Sequence, residues 1–307
     1  MIDTTHPNLP EGLQGLGFDV VEGYHLNREE VLHSIHEYVG VVIRSRMPVD
    51  NEFIRAASNL KFIARVGAGM ENIDVAAAVE NGISLLNAPE GNRGAVGEHA
   101  IGMLLSLFNN LKRADNEVRS GIWKREENRG FEIEGKTIGI VGFGNMGSAF
   151  AQKLKGFGAT VLAYDPHISI DFDGVEQVSL QELHERADIV SLHVPLTEKT
   201  MYIFNADFIA AMAKPFYIIN TARGAVLNTK DLLAGLDSGK IKGACLDVLE
   251  FEKRSFENLF EDKNELLEDL LNRDNVILSP HIAGWTFESN VKMAQAILKK
   301  VKDLNLI

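Results

Sequence analysis

The sequence has few of the features that mark secreted, membrane-spanning or nucleic-acid-binding proteins. It contains one cysteine in 307 residues, which excludes a scaffold stabilised by disulfides within the chain. Basic residues are in the minority, 31 against 43 acidic ones, and this argues against nucleic-acid binding because such proteins need a basic surface. The longest strongly apolar stretch, residues 100–108, is much shorter than the ~20 residues of a membrane span. The first residues show no signal peptide, so we predict a soluble, cytoplasmic protein without a membrane partner.

Two successive blocks of the chain alternate apolar, strand-like runs with amphipathic, helix-like segments. In the first block the pattern predicts strands over 39–45, 61–66 and 83–87, and helices over 50–57 and 73–80. The second block contains six predicted strands: KTIGIVG, TVLAYD, DIVSLHV, FYIIN, GACLDV and NVILS. Apolar strands separated by helices are typical of parallel sheets that are covered on both faces. We therefore predict an α/β protein with two doubly wound parallel-sheet domains.

Residues 97–119, between the two blocks, show an uninterrupted helical pattern. Its first half is apolar nearly all round and its second half is charged. A helix that is apolar on every side must be covered by more than one neighbour. Two interpretations stay open: a core helix within one subunit, or a helix that also packs against a second subunit and so predicts a homodimer.

The strongest motif is the glycine-rich sequence Gly142-Phe-Gly144-Asn-Met-Gly147, which follows one predicted strand and opens a helix. In a dinucleotide-binding turn the first glycine permits the tight turn, the second allows the backbone to approach the pyrophosphate, and the third allows close packing of helix and strand. The helix N-terminus adds positive potential for the phosphates. The next strand ends in Asp165, whose carboxylate suits the ribose diol and repels a 2′-phosphate, so NAD is favoured over NADP.

Charged side chains follow three of the later strands, at the edge where open α/β sheets bind their ligands. Arg223 follows FYIIN, the acidic residues Asp247, Glu250 and Glu252 follow GACL, and His281 follows NVILS. Each has an ordinary explanation: a surface arginine, a solvated acidic run, or a loop histidine satisfied by its neighbours. Their joint occurrence behind a nucleotide-binding turn favours a catalytic site.

Several stretches of the chain together resemble the D-2-hydroxyacid dehydrogenase family over nearly its full length. They are RVGAGMENID (65–74), VGFGNMG (141–147), HVPLT (193–197), NTARGAVLN (220–228), GACLDV (243–248) and SPHIAGWT (279–286). The resemblance implies a Rossmann NAD-binding domain inserted into a flavodoxin-like substrate domain, with the active site in the cleft. The substrate domain would comprise residues 1–96 plus 287–307, and the NAD-binding domain residues 97–286.

The resemblance also assigns roles to individual residues. It places the catalytic arginine at Arg223, the catalytic histidine at His281 and the catalytic glutamate at Glu252. In the family this glutamate is followed by proline, but here Lys253 follows Glu252. Glu250 therefore stays an alternative for the glutamate. The predicted cofactor-binding residues are Gly142, Gly144, Asn145, Met146, Gly147, Asp165, Pro195, Thr221 and Asp247. The substrate carboxylate would bind backbone N–H groups of Val66, Gly67, Ala68 and Gly69.

These residue types suit hydride transfer between a 2-hydroxy acid and its 2-oxo acid. The His281 imidazolium can donate a proton to the carbonyl oxygen, and the imidazole can accept it in the reverse direction. A carboxylate at Glu252 would stabilise the charged imidazole, and Arg223 can bind the substrate carboxylate and carbonyl. No His/Cys cluster has the spacing of a metal site, and we predict no catalytic metal.

Arg44 and Arg46, at the end of the predicted strand VGVVIRS, bear on the substrate. They are either solvated or structural arginines, or they bind a second anion such as a phosphate, and phosphoglycerate dehydrogenases of the family carry a similar Arg-Ser-Arg. We therefore predict 3-phosphoglycerate as the lead substrate. The alternatives are reduction of glyoxylate, hydroxypyruvate or another 2-oxo acid, and an NAD(H)-sensing binding protein resembling the family's corepressors.

Overall fold

The structure, a computed structural model, describes residues 1–252 and 264–306 of the chain. The chain divides into two compact units. One contains Met1–Asn92 and the C-terminal segment from Trp285, and the other contains Arg93–Glu252 and the segment that ends at Gly284. The domain limits and domain roles predicted from the sequence, 1–96 with 287–307 and 97–286, stay predictions.

Strands and helices alternate along most of the described chain. The strands are β1 (Gly40–Ile43), β2 (Phe62–Arg65), β3 (Ser84–Leu86), β4 (Thr137–Val141), β5 (Thr160–Tyr164), β6 (Val175–Gln177), β7 (Ile189–Leu192), β8 (Phe216–Asn220), β9 (Ile241–Leu246) and β10 (Val276–Leu278). The helices are α1 (Asn8–Gly15), α2 (Arg28–Ser34), α3 (Asn51–Ala56), α4 (Val75–Glu80), α5 (Pro89–Phe108), α6 (Leu111–Arg119), α7 (Asn145–Leu154), α8 (Leu180–Arg186), α9 (Ala206–Ala211), α10 (Thr229–Asp237), α11 (Glu265–Leu271) and α12 (Phe287–Asp303).

The smaller unit contains a three-stranded parallel sheet in the order β1-β2-β3. Alternate residues of its strands enter different cores: Ile43 and Ile63 pack with α3 and α4, whereas Val42 and Ala64 pack with α1 and α12. This division follows from the two-residue period of a strand. In the sheet register Ile43 lies opposite Arg65, so the segments that follow β1 and β2 leave the same edge of the sheet side by side.

The larger unit contains a seven-stranded parallel sheet in the order β10-β9-β8-β7-β4-β5-β6. It too is covered on both faces, because neighbouring residues such as Val190 and Ile189 belong to separate hydrophobic clusters. The order changes direction at β4, where the chain crosses from β5 and β6 back to β7. In open α/β sheets the ligand site lies at this switch point, beyond the carboxyl ends of the strands. The predicted α/β class with parallel sheets is confirmed.

Local sequence explains where several helices begin. Asn27 and Ser179 form reciprocal capping boxes with Glu30 and Glu182, in which each side chain accepts the other residue's backbone N–H. Thr286 caps the long α12 in the same way, with Ser289 as its partner. These caps satisfy N–H groups that have no acceptor within the helix.

The uninterrupted helix predicted over 97–119 is wrong. α5 begins earlier, at Pro89, and ends at Phe108, while α6 is a separate helix. The break occurs because Asn110 adopts a left-handed conformation with φ of 51°, which asparagine tolerates better than most residues. The strand β6 was missed because its sequence, Val-Glu-Gln, is short and has no apolar run at this exposed edge.

Other residues of the larger unit cover much of α5. Its apolar residues Ile101, Leu104 and Phe108 are buried there, and the packing of this helix against a second subunit stays a prediction. Several exposed apolar side chains lie on α6 and the segment after it: Leu111, Val118, Ile122, Trp123 and Phe131. Glu265–Leu271 forms α11, and residues 253–263 lie outside the described part of the chain.

Candidate active site

The glycine-rich turn lies at the carboxyl end of β4, and its glycines are required for different reasons. Gly142 has a φ of 88°, and a Cβ there would lie 2.8 Å from the His193 carbonyl oxygen. A Cβ on Gly147 would lie 2.1 Å from the carbonyl oxygen of Gly142, so only glycine allows α7 to pack this closely. Gly144, which caps α7, faces open space with no atom within 4 Å of a Cβ. The turn therefore leaves an open approach to the N-terminus of a helix.

The carboxylate of Asp165, which follows β5, forms hydrogen bonds with this turn and with its own loop. One carboxylate oxygen accepts a hydrogen bond from Phe143 N at 2.9 Å, and the other accepts from His167 N at 2.9 Å. Each carboxylate oxygen can accept a second hydrogen bond, so a ribose hydroxyl can still bind there. The ribose role of Asp165 stays a prediction.

Other predicted cofactor-binding residues follow the carboxyl ends of β4, β7 and β8. Asn145 and Met146 are the first residues of α7, and Pro195 lies on the loop after β7, where its carbonyl accepts from Thr200 Oγ1 at 2.5 Å. Thr221 follows β8 and is buried, yet its hydroxyl finds no hydrogen-bond partner among residues 1–252 and 264–306. A buried hydroxyl without a partner is costly. Together with the open space at Gly144, it fits the binding of a dinucleotide with hydrogen-bonding groups.

Asp247 organises the loop that carries His281. The Asp247 side chain is almost fully buried; its Oδ1 accepts from Ser279 Oγ at 2.6 Å and from Ile282 N at 2.9 Å, and its Oδ2 accepts from Ala283 N at 2.9 Å. Its backbone carbonyl accepts from His281 N at 2.7 Å. These bonds hold His281 in the left-handed region, with φ of 55°, which is unfavourable for an L-residue unless the surroundings fix it.

The structure brings Glu252, and not Glu250, to His281. Nδ1 of His281 lies 2.7 Å from Glu252 Oε2, while Glu252 Oε1 accepts from Leu249 N at 2.5 Å. Glu250 instead accepts from Thr229 N at 2.7 Å, at the first residue of α10. A carboxylate hydrogen-bonded to Nδ1 orients the imidazole and leaves Nε2 for the substrate. This leaves Glu252 as the glutamate that can assist His281.

The turn that carries Arg223, after β8, packs closely against the segment after β9 that carries Glu252. After β8, Asn220 accepts from Ala222 N at 3.1 Å and donates to Arg223 O at 3.0 Å, which shapes the turn. A Cβ on the next residue, Gly224, would lie 1.9 Å from Leu249 O. Glycine therefore allows the arginine turn to pack directly on the segment that leads to Glu252.

His99, which the sequence did not single out, extends the Asp247 network. Its Nε2 lies 2.9 Å from Ser279 Oγ and 3.5 Å from Asp247 Oδ1. No sequence signal links His99 to a loop 180 residues further along the chain. Its contact adds a further polar side chain to the group that fixes the His281 loop.

Two other titratable groups of the larger unit are unsuitable as catalysts. Burial lowers the pKa of His193 to about 3, so this imidazole is neutral at physiological pH and cannot supply a proton as His281 can. Burial raises the pKa of the Cys245 thiol, which keeps it protonated within the core cluster. Cys245 is thus a small core residue.

In the smaller unit the loop Val66–Gly69 follows β2. Its carbonyls are used by the surrounding chain: Gly67 O accepts from Ala88 N at 2.8 Å, and Ala68 O accepts from Asn87 Nδ2 at 2.7 Å. Arg65 was missed by the sequence analysis, although it ends β2 beside the end of β1. Its guanidinium covers Gly67 so closely that a Cβ on Gly67 would lie 1.4 Å from Nη1. The predicted carboxylate-binding loop thus has a cation packed against it.

Arg44 and Arg46, predicted as a pair, have different environments. The Arg46 guanidinium donates to three backbone carbonyls, Leu26 O at 2.8 Å, Ile2 O at 2.8 Å and Gly23 O at 3.1 Å. These bonds support the structural interpretation of Arg46 and make it a poor substrate ligand. Among the residues that the structure describes, no oxygen accepts a hydrogen bond from the Arg44 guanidinium, whose Cζ lies 4.1 Å from the centre of the Trp285 ring.

Comparison with known proteins identifies the family. Residues 101–283 match the family model of the D-isomer specific 2-hydroxyacid dehydrogenase NAD-binding domain, and this range includes the glycine-rich turn and His281. The chain belongs to the D-isomer specific 2-hydroxyacid dehydrogenase family. The resemblance seen in the sequence is thereby confirmed, and so is NAD as the cofactor. The protein is an NAD-dependent oxidoreductase of this family.

Individual relatives agree on the family but differ in their named substrates. A hydroxypyruvate reductase of Thermotoga maritima is 38% identical over 287 residues, which are 93% of this chain and 91% of the relative. A D-3-phosphoglycerate dehydrogenase of Archaeoglobus fulgidus is 35% identical over 94% of this chain, which spans only 53% of that longer relative. The crystal structure of a D-lactate dehydrogenase from Aquifex aeolicus, complexed with NAD and lactic acid, superposes with a TM-score of 0.83 at 28% identity, covering 97% of this chain and 92% of that one.

Two further expectations concern membranes and metals. Over the described ranges, no helix combines the length and apolarity needed to cross a bilayer. Within the same residues, no group of three or more His, Cys, Asp or Glu side chains is arranged to hold a metal ion. The expectation that the chemistry needs no metal stays a prediction.

Proposed function

We propose that this dehydrogenase interconverts a D-2-hydroxy acid and its 2-oxo acid at Arg223, Glu252 and His281, with 3-phosphoglycerate as the lead hydroxy acid. In the oxidative direction, Nε2 of His281 accepts the proton of the C2 hydroxyl while Glu252 holds Nδ1. The glycine-rich turn and Asp165 would hold NAD, which would supply the hydride acceptor for C2 when bound. In the reductive direction His281 returns the proton to the carbonyl oxygen, so that protons and electrons balance in both directions.

The remaining polar groups bind and orient the substrate in this proposal. Arg223 binds the carboxylate and polarises the C2 oxygen, because a guanidinium can donate to two oxygens at once. Backbone N–H groups of Ala68 and Gly69 add donors to the carboxylate, whereas those of Val66 and Gly67 already donate to Ile43 O and Arg65 O at 2.9 Å. Arg65, packed on Gly67, adds positive charge. Asp247 acts mainly by fixing the loop of His281 and, through the second acceptor site of Oδ2, can also bind the nicotinamide amide.

The Arg44 guanidinium is the single observation that favours a second anionic group on the substrate. Arg44 and the Val66–Gly69 loop leave the same edge of the sheet, since Val66 N donates to Ile43 O at 2.9 Å. An arginine whose guanidinium donors meet no acceptor among the described residues, beside a carboxylate-binding loop, suits a phosphate on the same small molecule. Arg46 is withdrawn from this role, since its donors already bind carbonyls.

A substrate panel tests this proposal. We expect the enzyme with NADH to prefer 3-phosphohydroxypyruvate to hydroxypyruvate and glyoxylate, and we expect NADPH to be the poorer cofactor because of Asp165. Arg44→Gln should raise KM for the phosphorylated acid about 10–100-fold, the effect of losing a hydrogen bond to a charged group, with little change for glyoxylate. Arg46→Gln should instead lower Tm without a preference between substrates.

Other outcomes of the panel would contradict it. Equal turnover of phosphorylated and unphosphorylated acids would favour a glyoxylate reductase or a hydroxypyruvate reductase. The second is the activity named for the relative of nearly equal length. Tight NADH binding without turnover of any 2-oxo acid would favour a sensor.

We also propose that the protein is a cytoplasmic homodimer that uses α6 and the segment after it. The support is the set of exposed apolar side chains in this segment, Leu111, Val118, Ile122, Trp123 and Phe131, because exposed apolar surface favours association. Sedimentation equilibrium at micromolar concentration should give twice the chain mass of 33.9 kDa. Val118→Asp combined with Trp123→Asp should give the monomer mass, and a monomeric wild type would disprove the dimer.

A further inference from the structure

Trp285 is an exposed aromatic residue with a defined partner. Its side chain is 64% exposed, and it directly precedes Thr286, whose capping box fixes the start of α12. The guanidinium of Arg44 lies over its ring at 4.1 Å from the centroid. Such a distance is well within the range of a cation–π interaction. Arg44 and Trp285 both belong to the smaller unit, and the capped start of α12 fixes the backbone next to Trp285.

Arg44 is anchored through its main chain, and within residues 1–252 and 264–306 its side-chain donors have no hydrogen-bond acceptor. Its N–H donates to Asp3 Oδ2 at 2.5 Å, and its carbonyl accepts from Asn72 Nδ2 at 3.2 Å. The carboxylate of Asp3, whose charge acts on Arg44, forms its ion pair with Arg46 Nε at 3.5 Å. Burial lowers the pKa of the Arg44 guanidinium and the charge of Asp3 opposes this shift, but an arginine stays protonated at physiological pH.

The kind of partner matters for what Arg44 can do. A carboxylate partner would neutralise the guanidinium and occupy its N–H groups in the plane of the fork. An aromatic ring contacts only the flat face, so it restrains the side chain while the N–H groups at the edge stay available. This arrangement preserves both the charge and the directional donors for an oxyanion.

We propose that Trp285 is a specificity-determining positioning residue, whose indole holds the Arg44 fork ready for the distal phosphate of the substrate. The inference rests on the proposed function, because it assumes that a substrate with a second anion binds at Arg44. It adds a residue outside the catalytic set and assigns it an effect on one class of substrate only. Substrates without a distal anion gain nothing from the pair.

The test compares Trp285→Ala and Trp285→Phe with a matched control, Phe287→Ala. Phe287 is an aromatic residue two positions further on, 93% exposed and at the first residue of α12. Trp285→Ala should raise KM for 3-phosphohydroxypyruvate about tenfold, the value of a partly desolvated cation–π contact, and should change kcat and the KM for glyoxylate less than twofold. Trp285→Phe should retain most of the affinity, and Phe287→Ala should behave as wild type.

A double-mutant cycle and a binding signal separate this inference from the proposed function. In the Arg44→Gln background, Trp285→Ala should have no further effect on KM, because the two residues act as one unit. In Trp123→Phe, where Trp285 is the remaining one of two tryptophans, 3-phosphoglycerate should change the indole emission, and Arg44→Gln should abolish the change.

The outcomes are distinguishable. If wild type prefers the phosphorylated acid but Trp285→Ala affects all substrates equally, or adds to Arg44→Gln, the inference is wrong and the proposed function stands. If wild type shows neither the preference nor the emission change, both are wrong.

Discussion

Replacing His281 by asparagine is expected to abolish most turnover while leaving NADH binding intact. Asparagine cannot exchange a proton at physiological pH, and a positioned acid–base group contributes about 10²–10⁴-fold to the rate. The glycine-rich turn lies on β4 and does not involve His281, so the Kd of NADH measured by fluorescence titration should stay within about twofold of wild type. The decisive measurement is kcat with the best 2-oxo acid of the panel.

Three further variants make this prediction specific. Glu252→Gln should lower kcat about 10–100-fold, because it removes the carboxylate charge beside Nδ1 and holds the imidazole less firmly. A misplacement of a catalytic group by ~1 Å lowers the rate about 10²-fold. Glu250→Gln should change kcat at most about twofold, because Glu250 accepts from the first N–H of α10. His33→Asn, at an exposed histidine of α2, controls for the substitution itself. Near-normal kcat in His281→Asn, or a larger loss in Glu250→Gln than in Glu252→Gln, would overturn the assignment.

Gly144→Ala is expected to weaken NADH binding by at least about tenfold without changing Tm. A Cβ at Gly144 meets no protein atom within 4 Å, so the fold should accept it. The same Cβ would stand where the pyrophosphate must approach the backbone of the turn, so the loss appears in Kd. Isothermal titration with NADH and thermal unfolding without cofactor measure the two effects separately.

Two glycine variants control for this result. Gly15→Ala, at an exposed position of α1 that also meets no atom, should change neither Tm nor Kd. Gly147→Ala should lower Tm as well as NADH affinity, because its Cβ would lie 2.1 Å from Gly142 O and the turn would have to shift. An unchanged Kd in Gly144→Ala would mean that the cofactor does not pass this turn as proposed.

The family and the order of its elements could be predicted because their signals are local. The strand TIGIV and the turn beginning at Gly142 identify a dinucleotide-binding unit within about a dozen residues, and most other strands are apolar runs bounded by polar residues. Parallel strands all end at the same edge of their sheet, so placing Arg223, Asp247 and His281 after three strands already predicted that they would gather there. The errors were also local: the break at Asn110 depends on one backbone conformation that the apolar pattern does not contain.

The sequence by itself determined the α/β class, the dinucleotide motif and the set of candidate catalytic residues. Only the tertiary structure decided between residues of the same type that lie close together in the chain. Glu250 and Glu252 differ by two positions, yet one caps α10 and the other contacts His281. Arg44 and Arg46 also differ by two, yet one packs on Trp285 and the other binds three carbonyls. The physical reason is that each side chain's partner comes from a distant part of the chain, and sequence spacing carries no information about such contacts.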